Sequence, residues 1–347
     1  MARRPTLRQT LDRLLDQYEA EIAAAFRESV DGIRSSVTLR VLIEALERGD
    51  IAAAIGALNL DRAAFSRLED AIERAYAAGG TAMVGHMPTL RGAEGAAVVV
   101  HFNRRNPRAE LWLRQHSSGL VTNIIADQRR AIRDTLTAAM SRGQNPRTTA
   151  LDIVGRINRA TGRRVGGIVG LTQGQAHAVD LARQELTSGE SAALRNYLDR
   201  KLRDRRFDRT VMAAIRDGKP IPADVVSRMT GRYADRLLQL RGETIARTES
   251  LASLNAASRE AFAQGLDKTN YAPNQVIRTW QTAADNRVRD SHRAMNGQKV
   301  KGLEEPFRSP SGARLMHPGD TSLGAGGEDV INCRCIVRYE IDYFGEG

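Results

Sequence analysis

The residues best suited to chemistry lie close to the C-terminus. Cys333 and Cys335 are the only two cysteines among 347 residues, and they sit one residue apart in Asn332-Cys333-Arg334-Cys335. Upstream, Asp285-x-x-x-Arg289-x-x-His292 spaces three functional side chains by four and three, which on a helix places them on one face, with Asp285 suited to cap it. A histidine and two thiolates are three ligands of a tetrahedral zinc site, leaving Asp285, His317, Asp320 or water as the fourth. The competing reading makes both cysteines small apolar residues on the inward face of a terminal strand. A nucleophilic reading would give one cysteine His292 as its base, whereas a disulfide between residues two apart would be strained. No G-x-S-x-G, P-loop or strand-linked G-x-G-x-x-G occurs, so the usual hydrolase and nucleotide signatures fail and the chain is expected not to be an enzyme.

These residues must be positioned by elements that the sequence also announces. Leu7, Leu11, Leu14, Leu15, Tyr18, Ile22 and Phe26 recur at three- and four-residue steps and predict an opening helix. Further helices are predicted over about 37–48, 51–58 and 61–78, with Gly79-Gly80 as a stop and 79–95 as a loop. The valine-rich run 96–102 fits a strand or a buried helix start equally well. Asn106-Pro107 is a helix start, and helices are predicted through about 119–142, 147–160 and 172–187, separated by glycines. Between Pro222 and Gly265 only Gly231 and Gly242 interrupt, which predicts one long helix or a kinked pair. After Asn270-Tyr271-Ala272-Pro273 the pattern changes to a strand over 275–282, a short helix over 285–296, a loop over 303–328 and a terminal strand. In that strand Ile331, Cys333, Cys335, Val337, Tyr339 and Ile341 share one face. The expected fold is α+β: a helical region over 1–100, a basic helical body over 101–269 and a small α+β domain over 270–347.

Apolar residues make up 41% and charged residues 27%, with a mean hydropathy of −0.40, which suits a globular chain rather than a disordered or collagen-like one. No apolar run of about 20 residues is present, and the start lacks the apolar core of a secretory signal, so no membrane span is expected and the cytosol is the expected site of synthesis. Net charge is +11, split as −2 over residues 1–100, +13 over 101–250 and 0 over 251–347. Only five of the 52 basic residues are lysine, which follows from a GC-rich genome or from phosphate and carboxylate recognition. Arg129, Arg130, Arg133, Arg163, Arg164, Arg203, Arg205 and Arg206 are candidates for contact with nucleic acid or an acidic partner. Aromatic residues barely interleave with them, so sequence-specific reading is not expected, and a solvated face is an equal alternative.

The run from Ile245-Ala246-Arg247-Thr248-Glu249, through Thr279-Trp280, Asp285, Arg289, His292 and Gly297, to Pro318-Gly319-Asp320 and Ile331-Asn332-Cys333-Arg334-Cys335, resembles the phage head morphogenesis family of Mu F-like minor head proteins. The resemblance covers residues 245–345 and rests on the order and spacing of several motifs. It implies a minor capsid protein of a tailed phage or phage-derived particle, made in the host cytoplasm and built into the virion in the capsid interior or at the portal vertex. Portal protein, major capsid protein and packaged DNA are the implied partners, with no membrane and no small-molecule substrate. Arg247, Thr248, Glu249, Trp280, Asp285, Arg289, His292, Asp320, Asn332, Cys333 and Cys335 are carried over as motif positions. A DNA-binding internal virion protein is the alternative, and a zinc- or cysteine-dependent hydrolase the third class. If Zn2+ binds at all, it is the only cofactor expected.

Overall fold

The computed structural model describes residues 4–343. In chain order the elements are α1 (Leu7–Ser36), α2 (Leu39–Glu47), α3 (Ile51–Gly56), α4 (Ser66–His86), α5 (Pro107–Ser141), α6 (Pro146–Val154), β1 (Arg156–Ile157), β2 (Arg164–Val165), α7 (Gln173–Thr187), α8 (Ser191–Asp199), α9 (Asp208–Asp217), α10 (Ala223–Leu266), β3 (Val276–Gln281), α11 (Asp290–Ala294), β4 (Lys299–Lys301), β5 (Phe307–Arg308), β6 (Arg314–Leu315), α12 (Gly327–Val330) and β7 (Ile336–Ile341). The fold is α+β, long helices followed by a small sheet region.

Two compact units are each built from separated stretches of chain. One comprises Met1–Ala24, Leu68–Ser117 and Glu243–Gly347; the other comprises Ala25–Arg67 and Ser118–Gly242. Neither coincides with a single one of the segments 1–100, 101–269 and 270–347, because α1, α5 and α10 each contribute residues to both. A long helix can pack along its whole length, so its two ends can serve different cores whatever their order in the chain.

In the first unit β3 is the central strand of an antiparallel sheet in the order β4-β3-β7, with Val276 opposite Ile341 and Gln281 opposite Ile336. Val276, Arg278 and Trp280 are buried on one side of β3 while the residues between them are half-buried. The core of this unit joins Trp280, Phe307, Val337 and Tyr339 of the sheet region to Leu251, Ala261 and Phe262 of α10 and Met83 of α4. Phe262 stacks on Tyr339 with ring centroids 5.0 Å apart.

Gly79 and Gly80 do not end α4, which runs on to His86. A Cβ on Gly79 would lie 2.8 Å from the Leu254 backbone, and one on Gly80 would lie 2.3 Å from the Phe102 ring, so both glycines serve close packing in a helix interior. The ambiguous run 96–102 is neither helix nor strand, apart from a single bridge between Arg91 and Ala97.

In the second unit the helix predicted over 147–160 stops at Val154. Gly155 follows at φ +86°, and a short hairpin of β1 and β2 takes its place. Backbones meet closely at the base of this hairpin, where a Cβ on Gly166 would lie 2.8 Å from the Gly231 Cα. Two buried arginines tie down the chain that follows. Arg34 donates to the carbonyls of Gly167 and Val169, at 3.2 and 2.7 Å, and Arg241 donates to that of Gly170 at 2.9 Å. α10 is one continuous helix of 44 residues, about 66 Å long at 1.5 Å per residue.

Candidate metal centre

The predicted helix over 285–296 contracts to five residues, Asp290–Ala294. Asp285 and Arg289 therefore do not share a helix face with His292. Ala284 sits at φ +55° and breaks the chain direction ahead of Asp285, which accepts from the Arg287 N–H at 3.0 Å and closes a turn rather than capping a helix. Arg289 precedes α11 and donates to the carbonyls of Glu328 and Ile331, clamping the α12 turn just before the cysteines.

The terminal strand begins at Ile336, later than the alternation predicted. Ile331 is 44% exposed and Asn332 adopts φ +55°, so the Cys-x-Cys segment is an irregular approach to β7. Its backbone is held from several sides. The Asn332 N–H donates to Thr248 Oγ1 at 3.1 Å, Arg8 donates to the Arg334 carbonyl at 3.1 Å, and Asn255 donates to the Cys335 carbonyl at 3.3 Å.

His292, Cys333 and Cys335 meet in the interior. Cys333 Sγ lies 3.4 Å and Cys335 Sγ 3.5 Å from His292 Nδ1, and all three residues are buried. A tetrahedral zinc with Zn–S of about 2.3 Å and Zn–N of about 2.0–2.1 Å sets nitrogen and sulfur about 3.5 Å apart, so the histidine nitrogen stands from each sulfur at the spacing such an ion requires. The ring is held edge-on against Trp280, centroids 5.3 Å apart. On its far side Nε2 lies 3.7 Å from Asp329 Oδ1, beyond hydrogen-bond length, and has no hydrogen-bond partner among the described residues. Asp329 is buried and accepts from Ser311 Oγ at 3.1 Å. A carboxylate behind the outer nitrogen of a ligating histidine is the usual support of a zinc site.

Burial alone would raise the Cys333 thiol, yet hydrogen bonds from Cys335 and His292 hold it well below its ordinary value. Cys335 moves up, because its thiol donates to Cys333 and because it is buried.

Asp285 does not join this group. Its carboxylate pairs with Arg334 Nη2 at 2.9 Å. His317 and Asp320 also lie elsewhere, in a small pocket with Trp112 and His116. There Asp320 accepts from the N–H groups of Met316 and Ser322, at 2.7 and 2.9 Å. Burial sets the His317 imidazole below its ordinary value, against the Asp320 charge, which by itself would raise it. Glu249 pairs with His116 Nε2 at 2.6 Å; burial would lower the His116 imidazole, but the charge and hydrogen bond of Glu249 raise it. Arg247 forms a two-point pair with Glu19 at 3.1 Å.

Asp329 and His116 were missed from sequence. Asp329 carries no spacing signal, whereas Trp112 and His116 stand four apart on α5 and stack with centroids 4.3 Å apart, a pairing their spacing permits. The basic candidates scatter. Arg203 pairs with Asp208 at 2.9 Å, Arg206 with Asp204 at 2.6 Å, and Arg130 with Asp127 at 3.6 Å, while Arg129 donates to the Leu60 carbonyl at 3.1 Å and Arg164 to that of Gly155 at 3.1 Å. Arg133, Arg163 and Arg205 are exposed.

Among the described residues no helix is long and apolar enough to cross a membrane. Neither the curated proteins nor the solved structures include a match to this chain. The family model for Phage Mu protein F like protein does match, over residues 130–338, which takes in α10, β3, β4, the first half of β7 and His292, Cys333 and Cys335. With more than half its length matched to that model, the chain belongs to the phage Mu F-like family of head morphogenesis proteins.

Proposed function

We propose that the protein acts in head assembly as a minor capsid component at or near the portal vertex, contacting the portal or major capsid protein. The family match over residues 130–338 carries this reading. Virion association follows from the same family, and no step of chemistry is needed for it. Procapsids purified from cells producing the particle test it. The chain should co-purify with them in few copies and remain bound to isolated portal rings, and its absence from procapsids would refute the proposal.

Within that role the His292, Cys333 and Cys335 site binds zinc. The ion ties α11 to the approach to β7, and so clips a unit in which the stretch 303–328 holds little regular structure beyond the two-residue strands β5 and β6. Purified protein should contain about one zinc per chain, and a Cys333→Ser, Cys335→Ser variant none. Wild-type protein that is folded and free of metal would refute the clip and make the cysteines core residues.

Contact with packaged DNA is the second reading, favoured by one observation. The unit formed by Ala25–Arg67 and Ser118–Gly242 carries a net charge of +11, whereas the other unit is neutral. Binding of this kind weakens steeply with salt.

A further inference from the structure

We infer that the metal held by His292, Cys333 and Cys335 keeps an exchangeable fourth position, filled by water from the pocket that Cys333 lines. The inference rests on the zinc reading above and goes beyond a closed structural clip. Among the described residues, no fourth histidine, cysteine or carboxylate joins the three donors. Each carboxylate near enough to be considered is otherwise engaged. Asp329 stands behind His292 Nε2, the nitrogen turned away from the sulfurs, and accepts from Ser311. Asp285 is held by Arg334 at 2.9 Å and by the Arg287 N–H at 3.0 Å. Tetrahedral zinc with three protein ligands completes its shell with a small molecule.

Of the three donors, Cys333 reaches a cavity of about 330 Å³. The walls of that cavity decide what enters. Its arginines are each matched by a carboxylate: Arg8 by Asp12 at 3.0 Å, Arg247 by Glu19 at 3.1 Å and Arg334 by Asp285 at 2.9 Å. Three guanidinium groups face four carboxylates, those of Asp12, Asp16, Glu19 and Asp285, so the pocket carries no surplus positive charge to hold an anion. A neutral donor with hydrogens to give is the ligand such walls favour, and water satisfies both the metal and the carboxylates. The site is then a Lewis acid open to a small neutral ligand.

Cobalt in place of zinc gives a direct readout on the full chain. One cobalt should bind with sulfur-to-cobalt charge-transfer absorption. Imidazole, a neutral donor small enough for the pocket, should then shift the ligand-field bands saturably while the charge-transfer bands persist. Ala283→Phe, in the wall of the same pocket, should leave cobalt stoichiometry intact and raise the imidazole needed by about tenfold, equivalent to about 1.4 kcal/mol. Ligand-field bands unmoved by saturating imidazole would overturn the open position while leaving the metal site standing. An equal imidazole response in the variant would overturn the pocket as its route. Failure to take up cobalt would instead overturn the metal reading itself.

Discussion

His292 shows how little of a site its ligands alone explain. Its Nδ1 serves two sulfurs, but the ring is aimed by Trp280 at its edge and by Asp329 behind Nε2. Asp329→Asn should therefore lower zinc affinity by about 10–100-fold without removing a ligand, measured by competition with a chromogenic chelator. An affinity equal to wild type would reduce Asp329 to a packing role. Two other histidines titrate in opposite senses. Because the folded His317 imidazole is depressed, its contribution is present above the ordinary value of about 6.5 and is lost as pH falls from there toward the lower folded value. The raised His116 imidazole contributes below about 6.5 and loses that contribution as pH rises through its higher folded value. Denaturant unfolding of His317→Gln from pH 8 to pH 5 should show a smaller loss of stability toward acid than wild type. Glu249→Gln should cost about 1–3 kcal/mol near pH 6 and less near pH 8.

At the scale of elements, glycines separate packing from propensity. Gly79 lies inside α4 against the Leu254 backbone, so Gly79→Ala should destabilise by about 1–3 kcal/mol through overpacking. Gly119 lies inside α5 with open space around its Cα, so Gly119→Ala should stabilise by about 0.5–1 kcal/mol from propensity alone. Chemical denaturation of the two variants checks both signs. Sequence reasoning treats a glycine pair as a helix stop, and at Gly79-Gly80 that fails for a physical reason: a partner backbone, absent from local sequence, demands the missing Cβ. The opposite error occurs at Gly155, where positive φ ends a helix that apolar spacing predicts onward. Residues 285–289 fail similarly, because helical spacing is necessary for a helix but Ala284 at φ +55° redirects the chain.

At the scale of the molecule, the +11 surplus falls wholly in the unit of Ala25–Arg67 and Ser118–Gly242, and His292, Cys333 and Cys335, the donors of the proposed zinc site, lie in the neutral one. Chelation should therefore lower the melting temperature of the neutral unit, read from fluorescence of Trp112 and Trp280, which both lie in it. DNA affinity, if carried by the basic unit, should survive chelation and fall with salt. Reversing the charge of Arg133, Arg163 and Arg205 should flatten the slope of log affinity against log salt by about 0.9 for each phosphate that these side chains neutralise. The same reversal at Arg203 and Arg206 should act less directly, because those side chains already hold Asp208 and Asp204.

The α+β class, a nearly unbroken helical stretch from Pro222 to Gly265, the start of α5 at Asn106-Pro107 and the grouping of His292, Cys333 and Cys335 as candidate donors were legible in the sequence, whereas it left open whether that stretch is one helix or a kinked pair. Each is a local property: apolar period, cap chemistry and residue type report on the chain within a few residues of themselves. That Asp285 turns to Arg334 while Asp329 stands behind His292 follows from tertiary packing. It alone also set Arg130, Arg203 and Arg206 against carboxylates while leaving Arg133, Arg163 and Arg205 exposed, and it assembled each unit from distant stretches. Those outcomes depend on which surfaces meet, and a carboxylate finds whichever cation the packing brings within about 4 Å, wherever that cation lies in the chain.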